Sequence, residues 1–252
     1  MTTLFISDLH LTPRRPEISE TFHSLLRGEA QGTDAVYILG DLFEYWIGDD
    51  AAEQLGYGQV LREIRALSDS GVPVYFMRGN RDFLIGDRFA ADTGCGILPD
   101  PAIVDLYGEK VLLTHGDYLC TDDIEHQSFR RTVDDPAWRR AFLNRPVEER
   151  MRMAQDARKQ SREHKDSVDM EIMDVNGQAV RRAFAEYGVR LMIHGHTHRP
   201  AIHDAGETAG NRRIVLGAWY EQSSILRCSP GVQELDPAPG NGASAGPAPA
   251  AR

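Results

Sequence analysis

Short apolar runs recur along the first half of the chain, each ending in a polar tip and giving way to a stretch with helical spacing. Residues 3–7 (TLFIS), 35–39 (AVYIL) and 72–77 (VPVYFM) are such runs. Between them, 17–30 carries Phe22, Leu25 and Leu26 on one side, and 51–69 carries Val60, Leu61, Ile64 and Leu67. Residues 102–107 (AIVDLY) and 110–115 (KVLLTH), separated by Gly108-Glu109, predict a hairpin. This alternation predicts an α/β architecture with a buried sheet under packed helices.

Residues 122–187 break the pattern. They lack strand periodicity, and helical stretches are expected at 123–133, 136–142, 146–163 and 171–187. The segment reads as a helical lid inserted into the sheet core. The sheet resumes at 189–193 (VRLMI), 212–218 (RRIVLGA) and 223–229 (SSILRCS). Residues 1–235 thus form one domain, followed over 236–252 by a tail of almost only Ala, Pro and Gly. Such a tail cannot bury enough apolar surface to offset its ordering entropy and is expected to be disordered.

Composition narrows the class. The chain has 252 residues, 41% hydrophobic and 26% charged, as in ordinary globular enzymes. No apolar run is long enough to cross a bilayer, and the opening residues lack a basic region ahead of an apolar one, so a cytoplasmic location is expected. Cys95, Cys120 and Cys228 have no paired spacing, which argues against a disulfide framework or a thiolate zinc site. A net charge of −10 disfavours nucleic acid as a partner. Between Arg130 and Lys165, however, eleven Lys/Arg stand against six Asp/Glu. Two readings fit this basic segment: a solvated helical surface laced with ion pairs, or a face turned to an anionic ligand or membrane.

The polar tips carry the chemistry. They are Asp8-Leu9-His10, Gly40-Asp41, Gly79-Asn80-Arg81-Asp82, His115-Gly116-Asp117 and Gly195-His196-Thr197-His198. The carboxyl ends of strands converge at one edge of an α/β sheet, so these residues are expected to meet in space. Asp8, His10, Asp41, Asn80, His115, His196 and His198 offer two carboxylates, one amide oxygen and four imidazoles. That exceeds one tetrahedral zinc and suits two ions sharing a bridge, which Asp41 can provide. A thiolate-free set is compatible with Mn²⁺, Fe²⁺ or Zn²⁺. Two ions roughly 3.5–4 Å apart imply in-line displacement at phosphorus by water. For the string IHGHTHRP (193–200) taken alone, the competing reading is a solvated, His-rich strand end.

The order D-x-H, GD, GN-x-D, HG and GHTH resembles the calcineurin-like metallophosphoesterases over residues 3–220. The resemblance implies a β-sandwich flanked by helices with a dinuclear site at the strand ends. It also implies that Asp8, His10 and His198 hold one metal, that Asn80, His115 and His196 hold the other, and that Asp41 bridges. Most members place histidine after the asparagine; here Arg81 stands there, and it can fork onto a phosphate but cannot act as a proton donor.

With GDLFEYWIGDD (40–50), HGDYLCTDD (115–123), IMDVN (172–176) and IHGHTHRPAIH (193–203), the chain is similar to the branch that cleaves UDP-2,3-diacylglucosamine in lipid A biosynthesis. That likeness implies manganese as cofactor and attack on the α-phosphorus, with Asp41, Asn80, Arg81 and His196 in catalysis. It implies substrate contacts at Asn80, Arg81, Asp123, Arg158, Ser161 and His196. Two lid positions, Lys165 and Val168, depart from the branch's asparagine and lysine, and Lys165 is expected to supply the missing charge. The lid is then expected to groove the acyl chains, and its basic face to hold a monomer peripherally on the anionic cytoplasmic face of the inner membrane. His194 reads as a buried histidine beneath the ligands, and Phe43, Tyr45 and Trp46 as local packing. Asp82 and Asp117 read as carboxylates orienting Arg81 and His115. The rival readings are another dinuclear phosphoesterase and a non-catalytic scaffold of the same fold.

Overall fold

β1 (Thr3–Ile6) leads through α1 (Pro16–Arg27) to β2 (Ala35–Leu39), and α2 (Gly58–Asp69) leads on to β3 (Val74–Met77). The computed structural model describes residues 1–167, 174–204, 210–220 and 223–236; the side chains of 160–167 and of 204 fall outside that description, as does the expected disordered tail beyond 236. The three strands pair in parallel, with Leu4 opposite Val36 and Val36 opposite Val74. α1 begins on Pro16, whose missing N–H costs nothing in a first turn, and buries Ile18, Phe22, Leu25 and Leu26 along one face. α2 begins seven residues later than its periodicity predicts. Gly56, at φ +81°, interrupts the expected helix just before Gly58 opens α2, and a short 3₁₀ turn at Asp49–Ala51 takes up its first residue, Ala51.

α3 (Asp87–Thr93) and the three-residue β4 (Gly96–Leu98) complete this side of the first sheet. β5 (Ala102–Leu106) and β6 (Glu109–Thr114) form the expected antiparallel hairpin, Ala102 opposite Leu113. Three helices follow: α4 (Ile124–Asp134), α5 (Pro136–Leu143) and α6 (Val147–Ser167). α4 and α5 are capped by Asp123 and Asp135, whose carboxylates accept from the N–H of His126 and Ala137. α7 (Gly177–Tyr187) starts at the Asn176 cap and ends at Gly188, φ +61°. Of the helix expected from 171, residues 171–173 lie outside the described residues.

β7 (Leu191–His194), β8 (Ala201–Asp204), β9 (Arg212–Val215), β10 (Ile225–Ser229) and β11 (Val232–Asp236) close the chain. The first sheet runs β11-β10-β1-β2-β3-β4 and the second β5-β6-β7-β9-β8. Strand alternation sorts the core into layers. Phe5, Leu39 and Met77 meet Val111, Leu113, Ile193 and Ile214 between the sheets. On the other face of the first sheet, Leu4, Ile6, Val36, Ile38 and Phe76 lie under α1–α3. Leu112 and Met192 lie under Val180 and Phe184 of α7. Strands buried on both faces explain why these segments read as continuous apolar runs. The result is a sandwich of two sheets flanked by helices.

Candidate metal centre

The C-terminal tips of β1, β2, β3, β6 and β7 meet along one rim. Backbone bonds knit them crosswise: Asp8 N donates to Gly40 O (3.1 Å), His10 N to Asp41 O (3.0 Å) and Gly195 N to His115 O (2.9 Å). Gly40, at φ +87°, is needed here, because a Cβ would stand 2.6 Å from His115 Nδ1 and 2.8 Å from Gly79 Cα. Asp8, His10, Asp41, His196 and His198 are non-glycine residues held at φ between +48° and +68°. Such backbones cost on the order of 1–3 kcal/mol each and cluster at functional sites.

Two groups of donors result. In the first, His198 Nε2 lies 3.2 Å from His10 Nε2 and 3.3 Å from Asp8 Oδ1. Asp8 Oδ2 is satisfied by Ser7 Oγ (2.6 Å) and His196 N (2.9 Å), whereas Oδ1 is buried without a hydrogen bond. In the second group, Asn80 Oδ1 faces His115 Nε2 at 3.0 Å and His196 Nδ1 at 3.1 Å. Asp41 stands between the groups, Oδ2 3.9 Å from His10 Nε2 and Oδ1 3.7 Å from His115 Nε2. An orphaned carboxylate oxygen and imidazole nitrogens converging without a proton for each contact fit divalent cations and suit little else.

Electrostatics point the same way. Burial works against the Asp8 carboxylate, yet the neighbouring His198 and His115 hold its pKa below the usual range. Burial pushes Asp41 up against the pull of His115 and Arg81. His115 is opposed by burial, but Asp41, Asp8 and Asp117 raise it to about 9. This clash of buried charges is what a cation pair at the rim would relieve.

A model of the calcineurin-like phosphoesterase family matches residues 1–200. The chain belongs to that family. It is 54% identical over 246 residues to a UDP-2,3-diacylglucosamine hydrolase of Stenotrophomonas maltophilia, covering 94% of this chain and 98% of that one. The corresponding hydrolase of Vibrio parahaemolyticus is 47% identical over 243 residues, covering 96% and all of the relative. Among solved structures, a phosphoesterase from E. coli aligns with TM-score 0.45 and 18% identity over 92% of this chain and 91% of that one.

The family's divalent-metal chemistry agrees with the donors, all seven of which the fold brings to one rim. Arg81 is 8% exposed; its Nε and Nη1 are buried without hydrogen-bond partners, and Nε stands 3.8 Å from Asp41 Oδ2. Arg158 donates through Nε to Glu44 (2.9 Å), whose other oxygen lies 3.9 Å from His10 Nδ1, so α6 reaches the rim. Asp123 is buried as the cap of α4. The side chains of Ser161 and Lys165 lie outside the description, and Val168 lies outside the described residues.

His194 is buried and neutral as expected, accepting from Arg213 (3.0 Å) with burial pushing its pKa down to about 3. Phe43 and Trp46 pack on Tyr57 and Phe89. The expected roles of two carboxylates are corrected. Asp82 does not orient Arg81; it accepts from the backbone N–H of Gly79 (2.8 Å), Leu42 (2.8 Å), Asp41 (3.3 Å) and Phe43 (3.4 Å). Burial and the nearby Asp41 carboxylate push it up to about 7. Asp117 holds Arg130 (2.8 Å) and His126 (3.3 Å), while His115 is oriented by donating Nδ1–H to Leu39 O (2.9 Å). Sequence reasoning missed Glu44, His126 and Tyr220, whose ring stacks on His10 at 5.3 Å. Only a fold places them at the rim.

Proposed function

We propose that this chain hydrolyses the pyrophosphate bond of UDP-2,3-diacylglucosamine, giving UMP and 2,3-diacylglucosamine 1-phosphate in lipid A biosynthesis. One conjunction carries the reading: seven N/O donors and a buried guanidinium with unpartnered nitrogens share one rim, in a chain half identical to UDP-2,3-diacylglucosamine hydrolases over nearly its whole length.

Asp8, His10 and His198 would hold one cation, Asn80, His115 and His196 the other, with Asp41 between the two groups available to both. Two divalent ions there, manganese being well suited to a thiolate-free N/O set, supply Lewis acidity and a water acidic enough to attack phosphorus near neutral pH. Arg81 stays protonated and forks its Nε and Nη1 onto the pyrophosphate, neutralising charge as the bond breaks. Asn80, whose Oδ1 faces two imidazoles, has its amide N–H₂ to donate to a phosphoryl oxygen. His196, beside Asn80, shares that contact.

Asp123, Arg158, Ser161 and Lys165 meet the sugar and phosphates from the lid. Several lid arginines are already paired, Arg145 with Glu149 and Arg150 with Asp50, so part of the basic segment is structural. Arg131, Arg140 and Arg152 are exposed on the same helices as the exposed apolar side chains Ile124, Leu143 and Met153. This mixture supports peripheral attachment to the anionic cytoplasmic face of the inner membrane, and among the described residues no helix is long and apolar enough to cross it.

The test is turnover of UDP-2,3-diacylglucosamine by the manganese-loaded protein in H₂¹⁸O. UMP carrying the label is the expected product. Label in the lipid phosphate, or faster turnover of dinucleotides, overturns the reading.

A further inference from the structure

Beside the second donor group lies a cavity of about 170 Å³, of whose lining the chemistry above uses only Asn80. Asn80 and His126 line its inner end, and the His126 ring lies 5.1 Å from that of His196. The lid helix α6 meets the rim elsewhere, through Arg158 and Glu44 beside His10. A pyrophosphate centred on the rim therefore has one end towards α6 and the other towards this cavity. If α6 takes the acylated sugar, the nucleoside is left facing the cavity.

Its lining is neither apolar nor singly charged. Arg78, Arg130 and Arg139 are balanced by Asp100, Asp117 and Asp134. Balanced charge suits a neutral, strongly polar ligand better than a phosphate. Phe83 and Phe129, edge to face at 5.9 Å, supply an apolar wall. The volume equals roughly six water molecules at about 30 Å³ each, the scale of a single-ring heterocycle.

Hydrogen-bonding capacity makes the choice more specific. Asp134 lies between two guanidinium groups, 2.8 Å from Arg139 Nη2 and 3.5 Å from Arg130 Nε. Those two nitrogens are engaged with Asp134 itself; Arg139 Nη1 and the second hydrogen of Arg130 Nη1, whose first goes to Asp117 (2.8 Å), remain to donate beside the carboxylate. With it they complement an edge that reads acceptor, donor, acceptor, which is the O2, N3–H, O4 edge of uracil. Cytosine presents acceptors at O2 and N3 and cannot match the carboxylate. Arg78 uses only Nε, on Ile85 O (2.6 Å); among the described residues its terminal nitrogens have no protein acceptor. Burial and the nearby Arg139 cation lower its pKa, so it gains from a ligand carbonyl.

We propose that this cavity is a nucleobase subsite that takes the uracil ring of the UDP-sugar, with Asp134 accepting from N3–H and the flanking arginines donating to the carbonyls. The assignment rests on the proposed reaction and deepens it by naming where selection for uridine occurs. It places the base beside the second donor group and the lipid beside the first.

The test is calorimetric binding of UMP, CMP, ribose 5-phosphate and inorganic phosphate to the manganese-loaded protein. UMP is expected to bind about tenfold more tightly than CMP or ribose 5-phosphate, the scale of one polar mismatch at a half-exposed carboxylate. Asp134→Asn, at a partly exposed position, is expected to erase that preference without changing phosphate affinity; Arg139→Gln serves as an independent second variant. Equal binding of UMP and CMP, or a preference that survives both variants, overturns the subsite. Turnover of UDP-2,3-diacylglucosamine is measured in parallel. Turnover without uracil preference sinks the subsite alone, whereas absent turnover sinks the underlying reading.

Discussion

The Nε2 atoms of His10 and His198 face each other at 3.2 Å, with the buried Asp8 Oδ1 4.0 Å from the first and 3.3 Å from the second. One proton cannot satisfy all three atoms, whereas one cation can. Metal analysis is therefore expected to find two divalent ions per chain, and one after His198→Ala. Chelation followed by manganese at about 100 times its Kd should stabilise the fold by about 2.7 kcal/mol, a rise of roughly 5–10 °C in Tm. Differential scanning calorimetry reads this directly, and an unchanged Tm counts against the site.

Asp82 clamps the loop carrying Asp41 to the turn at Gly79 through backbone N–H groups. In Asp82→Asn, an amide N–H₂ faces those donors. The variant is expected to lose about 3 kcal/mol in urea unfolding, from buried donors left unpaired at about 1–3 kcal/mol each. Its turnover should fall with its manganese content, since Asp41 moves with the loop.

In the proposed reaction Arg81, whose Nε and Nη1 are buried without partners, meets charge that grows during bond breaking. Arg81→Gln is expected to reduce kcat by about 10²–10³ while KM changes much less. Lysine cannot restore a two-nitrogen fork, so Arg81→Lys should recover little. A selective rise in KM would show that the guanidinium serves ground-state binding only.

The exposed basic and apolar side chains of α4–α6 predict salt-sensitive attachment to membranes. Sedimentation with anionic vesicles should fall steeply as ionic strength rises. The triple change Arg131→Gln, Arg140→Gln, Arg152→Gln should weaken binding by about 1 kcal/mol per charge removed. Binding indifferent to salt would overturn the electrostatic account.

All three cysteines are buried thiols. Burial raises Cys95 to about 11 and Cys228 to about 12, and raises Cys120 as well. Thiol reagents at pH 8 should leave the native protein untouched and modify all three in urea. The sign of the linkage is definite: stability from these neutral thiols is complete below pH 9 and is lost as pH rises through 11 to 12. Unfolding experiments across that range should show the decline.

Much of this structure was legible in the chain. The strands at 35–39 and 102–115 matched closely because buried parallel and hairpin strands leave unbroken apolar runs. β4 has three residues, and α3 two buried side chains, Phe89 and Thr93, too few for a period to show. β8 has only four residues and follows Pro200, so no long apolar run marks it, and β11 exposes most of its residues at a sheet edge. The seven rim donors were readable because each ends an apolar run. Glu44, His126 and Tyr220 were not, because their relation to the rim is made by packing between distant segments. The partners of the Asp82 and Asp117 carboxylates are not legible either, because sequence neighbourhood points to Arg81 and His115 whereas the fold supplies Gly79 N–H and Arg130.

The two sheets contribute unequally to the rim: Asp8, His10, Asp41 and Asn80 follow strands of the first, and His115, His196 and His198 follow strands of the second. Neither layer alone owns a complete coordination sphere for either ion. Occupancy of the pair would then also be a clasp between halves of the molecule, and a chain that has not yet married its layers holds only part of each donor set for a divalent cation. Metal uptake should accordingly report the last step of assembly, so that a half-built enzyme is also an inert one.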